Sequence, residues 1–394
     1  MKLPENVQLI IDRLNLYGYR ADVVGGPVRD FLLGKTPDDY DITTDALPEK
    51  IKEIFSDFKT VDTGIKHGTV SLILGGVQYE ITTYRIDGEY KDARRPESVS
   101  FTASLEEDLC RRDFTVNAMC YNPRDGITDL HGGREDLQRG IIRAVGDPYL
   151  RFSEDALRIL RALRFASVLG FELEEKTALA AIEKRELLAL VSRERIYTEW
   201  KKLLSGKCAY RIIKKYFEII SVFLPEIPAL RLPSEQRFLS ADYLCRMLSL
   251  FALGAPDSPA ESFNSMARNL RLDRQTQKTG ATVLSALGRY SYRTKEELSF
   301  LLMSIGEESA RVLVRLEVLL GYSDTALAKR LDEHITSGAT YRLCDLTVNG
   351  SDLFGLGLVG EDIGRVLNEL LRCVVLSKVE NERGALLALA QTLK

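Results

Sequence analysis

The 394-residue sequence has no apolar run long enough to cross a membrane, and its opening, Met1 to Ile10, lacks the apolar stretch of a secretory leader. A cytoplasmic protein with no membrane partner is expected. The six cysteines, Cys110, Cys120, Cys208, Cys245, Cys344 and Cys373, include no C-x-x-C pair, so their spacing indicates neither a zinc site nor a disulfide framework. Charge is also short of an excess: 54 Lys and Arg against 57 Asp and Glu leave a net -3, which argues against nonspecific coating of nucleic acid. Any RNA contact must come from a local basic patch. There is no repeat at a solenoid period and no low-complexity tract. What remains is an ordinary globular composition, 45% apolar and 28% charged, in a chain long enough for two to four domains.

Up to about Val145 the sequence alternates short β-branched runs, such as Tyr40 to Thr44, Thr69 to Leu74 and Val77 to Tyr84, with helical segments and glycine breaks. Gly75-Gly76 between two alternating runs reads as a hairpin turn, so part of the sheet is antiparallel. After Pro148 strand signals almost vanish, and segments such as Ser153 to Leu169, Glu194 to Leu204 and Gly360 to Val379 show helical spacing. The expected class is α+β: a mixed-sheet head followed by an all-helical remainder. Two stretches, Asp87 to Glu97 and Gly254 to Ser262, read as mobile loops.

The first cluster of chemistry follows the run Ala21 to Val24. Gly25-Gly26-Pro27-Val28-Arg29-Asp30-Phe31-Leu32-Leu33-Gly34 reads as a strand turning through two glycines into a helix, with Pro27 in its first turn and Gly34 at its end. Gly25 and Gly26 then present backbone N–H groups that suit a phosphate, and Arg29 can add a bidentate contact to a triphosphate oxygen. Glycine pairs also mark plain turns. The next run, Pro37-Asp38-Asp39-Tyr40-Asp41-Ile42-Thr43-Thr44, sharpens the reading, because Asp39 and Asp41 on one strand share a face. Neighbouring carboxylates repel, but together they offer hard oxygen ligands to Mg²⁺ carrying a nucleoside triphosphate. A solvated acidic turn is the bland alternative. Glu80, an acid amid apolar strand neighbours, is a candidate third catalytic carboxylate, although a salt bridge to Arg85 or Lys66 accounts for it nearly as well.

The second cluster begins at Arg111-Arg112-Asp113-Phe114-Thr115, where two guanidiniums beside a carboxylate suit a sugar-triphosphate clamp. An arginine pair bound to Glu106, Glu107 or Asp108 is the plainer reading, more natural for Arg111 than for both. Further on, Ser153-Glu154-Asp155 reads as an N-cap and acidic first turn, and Asp155, Arg158, Arg161 and Arg164 follow at steps of three on one drifting stripe. Pairs such as Glu154 with Arg158 can be simple helix supports. Cytosine and adenine, however, both offer an amine donor beside a ring-nitrogen acceptor, which an aspartate and an arginine complement. Uracil and guanine reverse that pattern and would leave polar groups unmatched, at about 1–3 kcal/mol each.

Taken in order, GGPVRDFLLG, DYDITTDA, TGIKHGTV, RRPESVSFTASLEEDLCRRDFTVNAM, EDALRILRALRF, SRERIYTEW and VENERGALLAL resemble the class II tRNA nucleotidyltransferases, the CCA-adding family. The likeness is dense over the first two hundred residues and looser between Lys207 and Thr340. It implies a head like that of DNA polymerase beta over residues 1–146, a neck over 147–206 that recognises the base, a body over 207–325 and a tRNA-binding tail over 326–394. By that resemblance Gly26 and Arg29 bind nucleotide phosphate, Asp39 and Asp41 hold Mg²⁺, and Arg112 binds the nucleotide. Asp155 and Arg158 read the base, Arg161 and Arg164 add nucleotide contacts, and Ser192 to Glu199 supports the reading pair. The loop Asp87 to Glu97 matches the family's flexible loop without a deletion, which favours an enzyme that reaches the final A.

The implied partners are the tRNA acceptor arm, CTP and ATP, with no obligatory protein partner. His67 reads as a turn histidine rather than a base, and the scatter of His67, His131 and His334 predicts no phosphohydrolase activity. The G-x-G-x-x-G string Gly355 to Gly360 follows no strand and is expected to join two helices. An A-only enzyme, a bacterial poly(A) polymerase and, more remotely, a non-catalytic RNA-binding module remain as alternatives.

Overall fold

A computed structural model describes residues 1–88, 99–255 and 257–394, apart from the side chains of Asp62, Thr63, Lys66 and Asp87. Residues 89–97 of the expected Asp87 to Glu97 loop lie outside the described residues. The chain forms two compact units, Met1–Phe223 and Leu224–Lys394.

The first unit opens with α1 (Glu5–Leu16), β1 (Ala21–Val24), α2 (Gly26–Leu32), β2 (Asp41–Thr44), α3 (Pro48–Ile54), β3 (Lys59–Gly64), β4 (Thr69–Leu74) and β5 (Val77–Thr83). A short pair, β6 (Arg85–Asp87) and β7 (Val99–Phe101), precedes α4 (Leu105–Cys110), β8 (Met119–Asn122) and β9 (Gly126–Asp129). Seven of these strands make one sheet in the order β3-β4-β5-β2-β1-β8-β9, antiparallel except where β2 runs parallel to β5. Gly75 and Gly76 both have positive φ, 58° and 81°, as the tight hairpin between β4 and β5 demands.

Register sorts the sheet into two faces. Val23, Ile42, Ile81 and Val70 stand side by side across four strands and are fully buried or nearly so. That face packs with α1, whose Val7, Ile10, Ile11 and Leu14 recur at helical spacing, and with α3. One residue along, the same registers align Asp22, Thr43, Thr82 and Thr69, and also Asp41, Glu80 and Ser71. The sheet is therefore apolar behind and polar in front.

The helical part of this unit begins with α5 (Gly133–Arg139) and the two-residue β10 (Ile141–Ile142), followed by α6 (Pro148–Glu154) and α7 (Leu157–Leu169). Then come β11 (Glu172–Leu173), which pairs with β10 and is the one strand after Pro148 among the described residues, and α8 (Glu175–Glu183), α9 (Arg193–Ser205), α10 (Ala209–Lys215) and α11 (Phe217–Ile220). The helix expected from Ser153 does not start there. Asp147 caps α6 by accepting the Tyr149 amide, Ser153 Oγ donates to the Tyr149 carbonyl, and the helix breaks at Asp155, whose φ of -135° and ψ of 101° are extended.

The second unit holds α12 (Glu235–Ser240), α13 (Tyr243–Gly254), α14 (Pro259–Asn269), α15 (Arg274–Ala286), α16 (Lys295–Leu320) and α17 (Ala326–Thr336). It ends with α18 (Gly350–Gly355), α19 (Glu361–Val375) and α20 (Arg383–Thr392). The loop expected to reach Ser262 is shorter, because Pro259 fits the first turn of α14, where its fixed φ and missing N–H cost nothing. Gly355 to Gly360 does join two helices. α18, with a capping box at Asn349, ends at the first of these glycines and Gly360 precedes α19. Leu353, Val366, Leu370, Leu386 and Ala390 bury the apolar faces of these last helices against one another.

Candidate active site

The polar front of the sheet carries the expected acids. Asp41 opens β2 directly opposite Glu80 on β5. Asp39 differs from its expected place, since it precedes the strand rather than lying on it. Its charge nevertheless reaches both neighbours. Desolvation, joined by Asp39 and opposed by Arg112, raises the Asp41 carboxyl above its ordinary range, and desolvation, Asp41 and Asp39 raise Glu80. None of the three forms an ion pair or side-chain hydrogen bond among the described residues, and all three are exposed. Such unpaired, mutually repelling oxygens fit a hard divalent cation. No group of three His, Cys, Asp or Glu among the described residues can hold an ion by itself, so further ligands would have to come from substrate or water.

The glycine corner lies at the end of the neighbouring strand. Gly25 has φ 79°, a conformation that favours glycine, and a Cβ there would stand 3.3 Å from Arg112 Nη1. Its amide is not free, however, because it donates to the Met119 carbonyl at 3.0 Å. Gly26, at the helix start, has no intrahelical acceptor for its N–H. Pro27 and Gly34 sit as expected, with Gly34 at φ 72° just past the last turn. Arg29 is already engaged: Asp30 takes its Nε and Nη2 at 2.9 Å each, and Asn117 Oδ1 takes Nη1 at 2.7 Å.

Asp108 governs the arginine pair. Its carboxylate is fully buried and accepts from Arg111 Nε at 2.9 Å, Arg111 Nη2 at 2.7 Å, Arg112 Nη2 at 3.2 Å and Thr43 Oγ1 at 3.3 Å. Burial alone would raise this carboxyl, but Arg112 and Arg111 outweigh it and hold it below the ordinary range. The plainer reading of a carboxylate bound to both arginines is therefore what the structure contains, with the acid in the interior and not on the surface. Arg112 still keeps a buried Nε–H without a partner among the described residues, and its charge faces Asp41.

Asp113, expected beside a sugar, is engaged by protein groups. Its Oδ2 accepts Arg161 Nε at 2.8 Å, while Oδ1 accepts the Phe114 amide at 2.8 Å and Asn117 Nδ2 at 3.2 Å. Although burial opposes it, Arg161 holds the Asp113 carboxyl down to about 2. Arg161 also lies 3.6 Å from Glu199, and Arg164 Nε lies 2.7 Å from the same carboxylate. That second pair is Coulombic, since neither atom has hydrogen-bond geometry to the other. Arg29, Arg161 and Arg164 surround the Phe165 ring at 5.4, 5.4 and 3.7 Å. Burial and the like charges of Arg161 and Arg29 lower the Arg164 guanidinium to about 10, against the pull of Glu199, so it remains a cation at neutral pH.

Asp155 and Arg158 flank the helix break and are held by different partners. Asp155 Oδ1 accepts the Leu157 amide at 3.1 Å, and Oδ2 accepts Arg195 Nη2 at 2.8 Å. Arg158 is 7% exposed and donates to Glu154 at 2.8 Å and to the Arg111 carbonyl at 2.9 Å. α9 thus braces the helix break through Arg195 and α7 through Glu199. Residue patterns did not single out Asn117, Phe165 or Arg195 as parts of the site. Each lies beside a singled-out residue in the sequence or on a support helix, but only the fold reveals what it touches. His67 sits in a turn, where its carbonyl accepts from Arg85.

A family model described as the poly A polymerase head domain matches residues 21–143, and one described as a probable RNA and SrmB-binding site of polymerase A matches residues 170–230. A CCA-adding enzyme of Geobacillus stearothermophilus is 39% identical over 389 residues, 95% of this chain and 93% of that protein. One from Lactobacillus delbrueckii subsp. bulgaricus is 37% identical over 386 residues, 96% and 95% of the two. The crystal structure of a Bacillus stearothermophilus CCA-adding enzyme in complex with CTP aligns with TM-score 0.81 at 34% identity, covering 100% of this chain and 98% of that one. The Thermotoga maritima CCA-adding enzyme complexed with tRNA shares the fold, at TM-score 0.67 and 23% identity.

Proposed function

We infer the reaction from one premise: the chain belongs to the family of CCA-adding enzymes. It is a nucleotidyltransferase that adds C, C and A to the 3′ end of tRNA from CTP and ATP, releasing pyrophosphate. The observation that carries the assignment of the site is the unpaired acidic trio on the polar face, with Asp41 in register with Glu80 and Arg112 alongside. A divalent cation held by Asp39 and Asp41, Mg²⁺ by the hardness of these ligands, would polarise the attacking 3′-hydroxyl and neutralise the departing pyrophosphate. Glu80 adds negative charge to that face.

The remaining steps fall to side chains around the sheet. Gly26 and Arg29 receive the triphosphate, with Arg29 giving up part of its hold on Asp30, and Arg112 uses its unpartnered Nε–H. Gly25 keeps the corner open for them. Asp155 and Arg158 present an acceptor and a donor to the base, while Glu154, the Arg111 carbonyl and Arg195 fix their orientation. Arg161 and Arg164 place positive charge near the nucleotide, and Asp113 secures Arg161. The head, neck, body and tail boundaries proposed from the sequence apply to this division of labour. The reaction belongs to the cytoplasm, and no helix among the described residues is long and apolar enough to cross a membrane.

The test uses tRNAs ending before CCA, after C and after CC, with CTP or ATP supplied separately. Completion of all three with the matching nucleotide is expected. Extension of the CC-ending RNA alone would overturn the full reaction in favour of A addition, and long A tails would overturn it in favour of poly(A) synthesis.

A further inference from the structure

Asp108 has no part in the reaction above, yet it is fully buried and pairs with two cations. It stands in the last turn of α4, three and four residues before Arg111 and Arg112, the spacing at which helical side chains meet. No other carboxylate pairs with either arginine among the described residues. One anion between two guanidiniums leaves one positive charge uncompensated.

The anion is divided unequally. Oδ1 takes Arg111 twice, from Nε at 2.9 Å and from Nη2 at 2.7 Å. Oδ2 takes a single bond from Arg112, Nη2 at 3.2 Å, and shares itself with Thr43 Oγ1 at 3.3 Å. Arg111 is therefore fixed by a two-bond fork, while Arg112 is tethered through one nitrogen. The Arg112 Nε–H has no partner among the described residues, and Nη1 lies at the glycine corner, 3.3 Å from where a Cβ on Gly25 would stand. The uncompensated charge is thus presented by the loosely held arginine, on the side where a triphosphate would arrive.

The fork on Arg111 has a second consequence. Arg111 caps the end of α4, where its carbonyl has no intrahelical donor, and that carbonyl accepts Arg158 Nη2 at 2.9 Å. By gripping the Arg111 side chain, Asp108 sets the main chain that holds the arginine assigned to the base. Both ends of a nucleotide are in this way referred to one buried carboxylate.

We propose that Asp108 is a positioning residue that couples triphosphate binding by Arg112 to base selection by Arg158 without touching the nucleotide itself. The inference rests on the nucleotidyl-transfer reading above. A carboxylate that only stabilised the fold would move the melting temperature and leave the ranking of ligands intact.

The experiment measures by calorimetry the binding of CTP, UTP and inorganic tripolyphosphate, which has no base, to the full chain with Mg²⁺. Asp108→Asn keeps the shape and removes the charge, so Arg112 loses its tether and turns to Asp41, whose charge it faces. Arg111→Lys, at a partly exposed side chain that tolerates the change, keeps the charge but cannot reproduce the fork, so the carboxylate turns to Arg112. Both withdraw the free guanidinium and loosen the Arg111 main chain. Each variant should lose roughly tenfold in tripolyphosphate affinity and roughly tenfold in the preference for CTP over UTP, about the worth of one bond to a charged group. Should Asp108→Asn show no cooperative melt, Arg111→Lys decides the matter alone. Wild-type affinities in a folded variant, or the loss of one property without the other, would overturn the coupling. Wild-type protein that binds CTP yet extends no tRNA would instead strike the reaction on which the inference rests.

Discussion

Two clusters of charge in the first unit are built on opposite principles. Asp39, Asp41 and Glu80 are like charges, exposed and without ion-pair partners among the described residues, and desolvation, joined by their mutual repulsion, raises the carboxyls of Asp41 and Glu80. The lattice of Asp113, Arg161, Glu199 and Arg164, and beside it the pair of Arg195 with Asp155, sets opposite charges together through hydrogen bonds and ion pairs. The first arrangement costs the folded state and suits the external cation proposed for it, whereas the second fixes positions. Function and stability should therefore separate under mutation.

The largest separation is expected at Asp41. Asp41→Asn should lower nucleotide addition by on the order of 10³-fold or more, because the metal-ligand charge is lost. Its raised carboxyl has the opposite sign for stability: the contribution is full at low pH and declines as pH rises through the folded-state value, so Asn should leave the melting temperature unchanged or slightly higher. A melting temperature that fell together with activity would collapse the contrast.

In the lattice the order reverses. Glu199→Ala leaves Arg161 and Arg164 without their shared carboxylate and should cost about 3–5 kcal/mol in denaturant unfolding, as breaking a buried pair does. Asp113 provides a pH signature for the same lattice. Its carboxyl is lowered to about 2, so its stabilisation is present above the unfolded value and is lost as pH falls toward 2. That span corresponds to about 2 kcal/mol, and Asp113→Asn should flatten the acid limb of the stability curve accordingly. An unaltered acid limb would show that Arg161 does not depend on that charge.

Two smaller effects test where the clusters meet. Asp155→Ala should relax discrimination against UTP and GTP by about 1–3 kcal/mol, read as kcat/KM ratios, with a fall in CTP addition as its base loses an acceptor. Gly25→Ala should cost about 1 kcal/mol of stability for its positive φ and raise KM for CTP by crowding Arg112. If KM for CTP stays put, the corner is a turn and not part of the nucleotide site.

Much of this was legible in residue order. Thr69 to Leu74 and Ala21 to Val24 form strands with the expected bounds, Gly75-Gly76 makes the hairpin, and Pro27 and Gly34 punctuate α2. These are local choices, set within a few residues by backbone freedom and side-chain alternation. Ser153 misled because an acidic turn after a serine looks like any helix start. The interruption at Asp155 comes from contacts to Leu157 and Arg195, and Arg195 is forty residues away in sequence. Pro259 has the look of loop punctuation yet begins a helix, an ambiguity built into a residue that serves both.

The sequence by itself determined which residues carry charge, how they are spaced on each strand and helix, and hence that two acids lie two apart beside a glycine corner. Only tertiary structure decided their company. It brought Glu80 opposite Asp41 through a parallel pairing of strands, sank Asp108 beneath both arginines, and pinned Asp155 from a separate helix. The reason is physical: backbone geometry propagates over a few residues, whereas the pairing of charges depends on burial and distance, which exist only once remote segments have packed.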